Sequence, residues 1–381
     1  MAPVIKELRR YPDRIRSVTC AAGQHRQMLD QVLALFGIVP DYDLNLMQDD
    51  QSLSQLTASL FTGLDTVLRE VQPDWVLAQG DTTTVFVTAM QAFYHRIPFG
   101  HVEAGLRTGD KHRPFPEEVN RRIADIVADV YFAPTARARQ ALIAEGCAEC
   151  NIHVTGNTVI DALHDVAARD YSWESGPLAG IPTDRRLVLI TAHRRESFGR
   201  PFRELCLAIL ELASKFARDD VHFVYPVHFN PNVRGPVTAI LSQAPNISLL
   251  EPVDYLSLVQ LMKRSVLVLT DSGGIQEEAP GLQVPVLVLR ETTERPEGLA
   301  TGLVELVGTD RHSIVSAAEK ILSAPDRTRS THLADSPYGD GKAAGRIVSI
   351  LLARSEQQKA SPPPDLEVAC VPAVSTVALP D

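Results

Sequence analysis

The sequence has no surplus of positive charge. Its 381 residues hold 37 Lys and Arg against 47 Asp and Glu, a net charge of −10, so no global positive field would draw in a polyphosphate and no nucleic acid partner is expected. It has no apolar run near the roughly 20 residues that a membrane helix needs. Its start, MAPVIKELRRY, lacks the hydrophobic core of a signal peptide. No membrane association is expected, and the cytoplasm is the expected compartment. Cysteine is scarce: Cys20, Cys147, Cys150, Cys206 and Cys370 form an odd, scattered set that fits reduced thiols better than a disulfide framework. Cys147 and Cys150 form a lone CxxC with neither a second pair nor a nearby His, so neither metal nor redox use is expected of it. A Walker loop, a GxGxxG turn, an HExxH helix and any internal repeat are also missing.

What is present suits a globular chain: 45% hydrophobic and 22% charged residues, over a length that fits roughly two to three domains. Short β-branched apolar runs alternate with longer helical patterns, the signature of βαβ units around a parallel sheet, and the chain reads as α/β throughout. Strands are expected at 17–21, 75–78, 98–102, 130–132 and 152–154, then at 187–191, 221–225, 247–250, 266–269 and 286–289. Residues 171–184 (YSWESGPLAGIPTD) mix Gly, Pro, Ser and charge without periodicity and read as a linker. The expected domains are therefore 1–170 and 185–340, each doubly wound and Rossmann-like, facing one another across a cleft. A helix over 341–355 and a Pro-rich, aperiodic tail over 356–381, which reads as disordered, complete the chain. The front is unusual. A doubly wound domain opens with a buried strand and a turn, whereas Met1 falls inside the helical stretch APVIKELRRYP, so the first domain reads as lacking its first strand.

Polar residues gather directly after strand ends, where open parallel sheets bind ligands: Asp81, Glu103, His193, His228, Asp271 and Arg290. Each singly has a bland reading as a helix cap; six in step point to one cleft. QGDTTT (79–84) puts a Gly turn and Asp81 between a strand and a helix, and HVEAGLRTGD (101–110) adds Glu103 and Arg107. In PFPEEVNRR (114–122), Pro116 suits the first helical position and Glu117 the favourable end of the dipole, a placement that a plain helix start also explains. TAHRRESFG (191–199) sets His193, Arg194 and Arg195 beside a strand end, a grouping suited to an anionic ligand or to a solvated loop. YPVHFNPNVR (225–234) contributes His228 and Asn230. In DSGGIQEEAPGL (271–282), Ser272, Gly273 and Gly274 open a helix whose free N–H groups would hold a phosphate, and Glu278 would accept hydrogen bonds from ribose hydroxyls. Arg295, in RETTERPEG (290–298), would supply charge to a diphosphate. These residues point to a nucleotide-diphosphate ligand beside three carboxylates, Asp81, Glu103 and Glu117, and leave the reaction unnamed.

Ten segments in order, QHRQMLDQVL, GDTTT, HVEAGLRTGD, PFPEEVNRR, TGNTVIDAL, TAHRRESFG, YPVHFNPNVR, DSGGIQEEAP, TTERPEG and SPYGDG, resemble the bacterial non-hydrolysing UDP-N-acetylglucosamine 2-epimerases over roughly residues 1–352. The resemblance implies the two-domain GT-B architecture, interconversion of UDP-GlcNAc and UDP-ManNAc for surface polysaccharide precursors, a homodimer, and neither a metal nor a cofactor. It implies an elimination in which the C2 proton is removed and UDP leaves C1, giving 2-acetamidoglucal that recombines with UDP. Position by position, Asp81, Glu103, Glu117 and His193 match the catalytic set. Arg194 lies beside that His, and His228, Ser272, Gly273, Gly274, Glu278 and Arg295 match the UDP site. Gln24, Gln27 and His228 match positions where some members hold a second, regulatory UDP-GlcNAc.

The departure lies at the front. Members of the family begin with a strand and a GTRPEAIK turn before the MAP that starts this chain, and the Arg and Lys of that turn line the active site. The expectation is a poorly stable chain of little activity, with a misassigned start codon as the plain explanation and a truncated or inactive UDP-sugar-binding homologue as the other. A hydrolysing 2-epimerase and a GT-B glycosyltransferase are the competing enzymes, the latter disfavoured by the first-domain carboxylates.

Overall fold

The computed structural model describes residues 1–23, 26–47, 50–293, 295–324 and 336–360, and not the side chains of 27, 28 and 358–360. The first half carries β1 (Cys20–Ala21), β2 (Tyr42–Asp43), β3 (Val76–Gln79), β4 (Phe99–Val102), β5 (Val130–Ala133) and β6 (Ile152–Val154). The second carries β7 (Arg186–Thr191), β8 (Val221–Pro226), β9 (Ile247–Leu250), β10 (Ser265–Thr270), β11 (Val286–Val288) and β12 (Val304–Leu306). They form a β1-β2 pair, a β3-β4-β5-β6 sheet and a six-stranded sheet of order β12-β11-β10-β7-β8-β9, with every pairing parallel. This is the expected α/β pair of Rossmann-like domains.

A parallel sheet is covered on both faces, which is why its strands read as continuous apolar runs. In β4 and β5, Phe99, Val102, Val130 and Phe132 are at most 2% exposed. At Gly100 a Cβ would come 2.6 Å from Leu77 Cδ2 of the neighbouring β3, so a larger residue there would force that side chain to shift. In the helix Leu53–Val71, the residues Leu56, Leu60, Leu64, Val67 and Leu68 form one buried stripe, and Ser52 and Gln55 close a capping box at its start. Each buried leucine contributes about 1.5–3 kcal/mol against about 1 kcal/mol for the cap, so the stripe decides where this helix sits.

The strand expected at 17–21 keeps only Cys20–Ala21, the part that pairs with β2, and this pair stands apart from the four-stranded sheet, in which β3, among the described residues, pairs with β4 alone. Residues 356–360, expected in the tail, belong to the helix Ala343–Ala360. That helix returns to the first domain, where Ala344, Ile347, Val348 and Leu351 pack with Val4, Val102, Val130 and Phe132. The tail at 361–381 lies outside the described residues. The segment read as a linker is packed: Leu178 and Ile181 sit in the second domain's core beside Leu187, Val224 and Val268. Between the domains the helix Thr158–Ala167 sets Ile160, Leu163 and Val166 against Val259 and Tyr338. Among the described residues no helix is long and apolar enough to cross a membrane.

Candidate active site

On the first domain the site grows from the ends of the adjacent strands β3 and β4. Gly80 turns at φ +86, and its N–H donates to Val102 O at 3.0 Å. Asp81 follows; its carbonyl accepts from Asn120 Nδ2 at 3.0 Å, and its carboxylate is salt-bridged to Arg121. The Gly80 carbonyl rests 2.7 Å from Nε2 of the fully buried His101, whose Nδ1 lies 2.6 Å from Asp125. Glu103 takes up φ +66, an uncommon backbone state for a non-glycine residue. Its carboxylate accepts from Asn157 Nδ2 at 3.3 Å and Gln79 Nε2 at 3.5 Å. Glu117 is half-buried in the first turn of the helix Glu117–Val127. Its neighbour Glu118 is the buried one, accepting from the N–H groups of Thr108 and Gly109, each at 3.1 Å, and pairing with Arg121.

On the second domain the ends of β7 and β10 are tied together. Asp271 accepts from the backbone N–H of His193 at 2.7 Å and of Arg194 at 2.8 Å. The His193 ring stacks on the exposed His228 ring, centroids 5.3 Å apart and 12° between planes. Burial first, then the neighbouring His228 and Arg194, holds the His193 pKa below its usual value against the pull of Asp271. Ser272, Gly273 and Gly274 run into the helix Ile275–Gly281 with open space at the glycines: a Cβ on Gly273 meets only Arg194 Nη2 at 3.7 Å, and one on Gly274 only Glu278 Oε2 at 3.9 Å. Glu278 accepts from the Tyr255 hydroxyl at 2.5 Å, and burial pushes its pKa up. Arg295 is ion-paired with Glu277, and Arg290 lies 2.7 Å from Glu196.

The two sides meet at one amide. Asn157 Nδ2 donates to Glu103 Oε1 of the first domain and, at 2.7 Å, to Glu277 Oε2 of the second. Glu277 is 3% exposed, and burial raises its pKa to about 7 although Arg295 pulls the other way. Asn157, Glu277, Gln79 and His101 were absent from the residues singled out by sequence. Asn157 reads as a helix cap, which it also is, and Glu277 sits in the shadow of Glu278. Of the regulatory candidates, Gln24 lies outside the described residues, as does the Gln27 side chain, while His228 stands beside His193.

Among the described residues no cluster of His, Cys, Asp or Glu has the form of a metal site. A separate groove of about 1090 Å³ is lined by Lys6, His153, Asp161, Asp165 and Arg346 and holds none of the candidate residues. Of its lining residues, Lys6 pairs with Asp165 at 2.9 Å, Arg346 pairs with Asp340 at 2.7 Å, and Asp161 accepts from the backbone N–H groups of Ala343 and Ala344.

The sequence profile of a family described as UDP-N-acetylglucosamine 2-epimerase matches residues 6–352. The chain is 49% identical over 359 residues to the UDP-N-acetylglucosamine 2-epimerase of Escherichia coli (strain K12), covering 92% of this chain and 94% of the relative. It is 45% identical over 362 residues to the enzyme of that name in Bacillus subtilis (strain 168), covering 95% and 94%. The crystal structure of UDP-GlcNAc 2-epimerase from Neisseria meningitidis bound to UDP-GlcNAc is similar with a TM-score of 0.82 at 44% identity, over 93% of this chain and 96% of that one.

Proposed function

The chain belongs to the UDP-N-acetylglucosamine 2-epimerase family, and from that premise we propose how the cleft between its domains epimerises UDP-GlcNAc to UDP-ManNAc. The observation that carries the reading is the shared amide of Asn157. It leaves Glu103 of the carboxylate-bearing first domain one side chain away from Glu277, within the Ser272–Glu278 segment that would hold the nucleotide.

The substrate's diphosphate meets Arg295, Arg194 and the N–H groups of Gly273 and Gly274, where partial positive charge favours an anion, while the Ser272 N–H is already given to the Thr270 hydroxyl at 3.0 Å. Glu278 takes the ribose hydroxyls, exchanging the Tyr255 hydroxyl for them, and His228 lines the UDP site. The sugar then lies toward Asp81, Glu103, Glu117 and His193. One carboxylate removes the C2 proton while UDP departs from C1 onto the cations, giving 2-acetamidoglucal. Readdition of UDP to C1, with a proton returned to the opposite face of C2, completes the inversion. Positioned acid–base groups contribute about 10²–10⁴-fold each, and stabilisation of the departing dianion by fixed cations supplies a further large share.

Proton NMR in deuterium oxide with UDP-GlcNAc tests this. UDP-ManNAc carrying deuterium at C2 is the expected product. UDP-ManNAc that keeps protium at C2 would rule out the elimination, and stoichiometric release of free UDP would point to hydrolysis.

The same reading makes the protein a cytoplasmic homodimer. Phe93, Tyr94 and Ile126, 59, 62 and 79% exposed on the packed helices Thr83–Tyr94 and Glu117–Val127, support a contact face there. An Ile126→Asp, Tyr94→Glu variant should run as a monomer in light scattering. A regulatory UDP-GlcNAc held by Gln24, Gln27 and His228 would give sigmoidal substrate kinetics that a Gln24→Ala, Gln27→Ala variant loses; hyperbolic kinetics in the parent would exclude it.

A further inference from the structure

The Asn157 side chain has only one workable orientation. Its Oδ1 accepts from Val159 N–H at 3.2 Å, capping the helix Thr158–Ala167, so Nδ2 faces the two carboxylates with both of its protons spent. Flipping the amide would break the cap and aim an acceptor at Glu103 and Glu277. The backbone N–H of Asn157 donates to Tyr338 O at 2.6 Å, the Tyr338 hydroxyl donates to Arg295 O at 3.1 Å, and the Arg295 guanidinium returns to Glu277. The circuit Asn157–Tyr338–Arg295–Glu277 is therefore closed, and Glu103 hangs from it. Asn157 and Glu277 are 4% and 3% exposed, so neither has water to replace a lost partner.

We infer that Asn157 and Glu277 are positioning residues, forming a strut that couples the seat of the diphosphate at Arg295 to the carboxylate of Glu103. This rests on the proposed roles of Glu103 and Arg295. A neutral amide is the group this junction needs: it donates to two acids at once, so two carboxylates from different domains stand close without a cation between them. When the nucleotide diphosphate draws on Arg295, Glu277 is tugged, and the pull reaches Glu103 through the amide. Substrate binding at one end thus sets the Glu103 carboxylate at the other.

Asn157→Asp separates the strut from the cap, because aspartate still accepts from Val159 N–H but has nothing to donate. Glu277→Gln on top of it restores a donor to the pair with the polarity reversed. The measurements on parent, both single variants and the double are solvent deuterium incorporation at C2 of UDP-GlcNAc, kcat and KM, UDP affinity by calorimetry, and Tm. Asn157→Asp should lose about 30-fold or more in kcat and C2 exchange, since small misplacements of a base carry such penalties. Its affinity for UDP should also change at least about threefold although Asn157 lies across the cleft, and the double variant should recover part of both losses.

A folded Asn157→Asp variant with parent-like exchange and UDP affinity would reduce Asn157 to a cap and overturn the strut. So would a double variant whose losses are the product of the single ones. If Asn157→Asp does not fold, refolding in the double variant supports the pairing. Failure of both, with Glu277→Gln keeping parent-like UDP affinity, overturns it. If the parent itself exchanges no C2 proton, the epimerase reading fails, and the UDP affinities of the four proteins still decide the strut.

Discussion

Nδ1 of His101 lies 2.6 Å from Oδ1 of Asp125, with 0% and 2% of the two side chains exposed. Because the other ring nitrogen faces the Gly80 carbonyl, both nitrogens meet acceptors and the ring is held as an imidazolium beneath the Gly80–Asp81 turn. Burial opposes that charge, yet Asp125 and the carbonyl prevail and raise the His101 pKa. Asp125, likewise penalised by burial, is brought below the usual carboxylate range by His101 and Arg107. The two pKa shifts stabilise the fold over opposite flanks of the pH scale. The His101 contribution is full below about pH 6.5 and lost as pH rises through its raised value; the Asp125 contribution is full above about pH 4 and lost as pH falls through its lowered one.

Asp125→Ala should therefore destabilise by about 3–5 kcal/mol in urea unfolding at pH 7, the penalty for stranding a buried cation. Arg139→Ala, which breaks the exposed Arg139–Glu149 pair, should change stability by less than about 1 kcal/mol. Equal effects in the two variants would contradict the buried-imidazolium reading.

Adjacent acids should separate cleanly. Glu117→Gln is expected to lower kcat about 10²-fold or more with Tm unchanged, whereas Glu118→Gln, which disturbs the bonds accepted from two backbone N–H donors and the Arg121 pair, should lower Tm first. Circular dichroism melts beside the NMR assay decide which acid does chemistry.

Gly274 has φ −64 and room for a methyl group. Gly274→Ala should fold with an unchanged or slightly raised Tm, since alanine costs less backbone entropy than glycine in a helical conformation. If the diphosphate approaches this backbone, the same methyl should weaken UDP binding about tenfold or more by calorimetry. Parent-like affinity would move the phosphate elsewhere.

Glu277 carries its own pH signature. Its pKa of about 7 stands above that of an unfolded glutamate, so the folded state holds the extra proton and the stability this gives is lost as pH rises from about 4.5 to about 7. Glu277→Gln removes that slope. The Tm of the variant minus that of the parent should accordingly become more positive between pH 5 and pH 8; a difference that stays flat would mean that Glu277 is ionised throughout.

The strand ends were legible because each joins an apolar run to an abrupt polar residue, as in WVLAQGD and VLVLTDS. Tyr42–Asp43 and Val304–Leu306 escaped notice because two or three residues with an acid among them carry no period-2 signal and take their strand character from a neighbour. Asp81, Glu103 and the Ser272–Gly274 turn could be found one by one in the sequence. The circuit that joins them could not, because it is made by residues about 120 and 180 positions apart that each look locally explained: Asn157 as a cap, Tyr338 as an aromatic in a loop, Glu277 as a helix acid. His101 was hidden differently, inside a strand where a histidine resembles a filler until its two nitrogens are assigned.

The return of the helix Ala343–Ala360 onto Val102, Val130 and Phe132 also bears on how the protein is made. On the ribosome those first-domain residues emerge early, but the helix that shields them is synthesised only after the whole second domain. The first domain therefore waits with part of its core uncovered, and its safe maturation depends on translation reaching the far end of the chain.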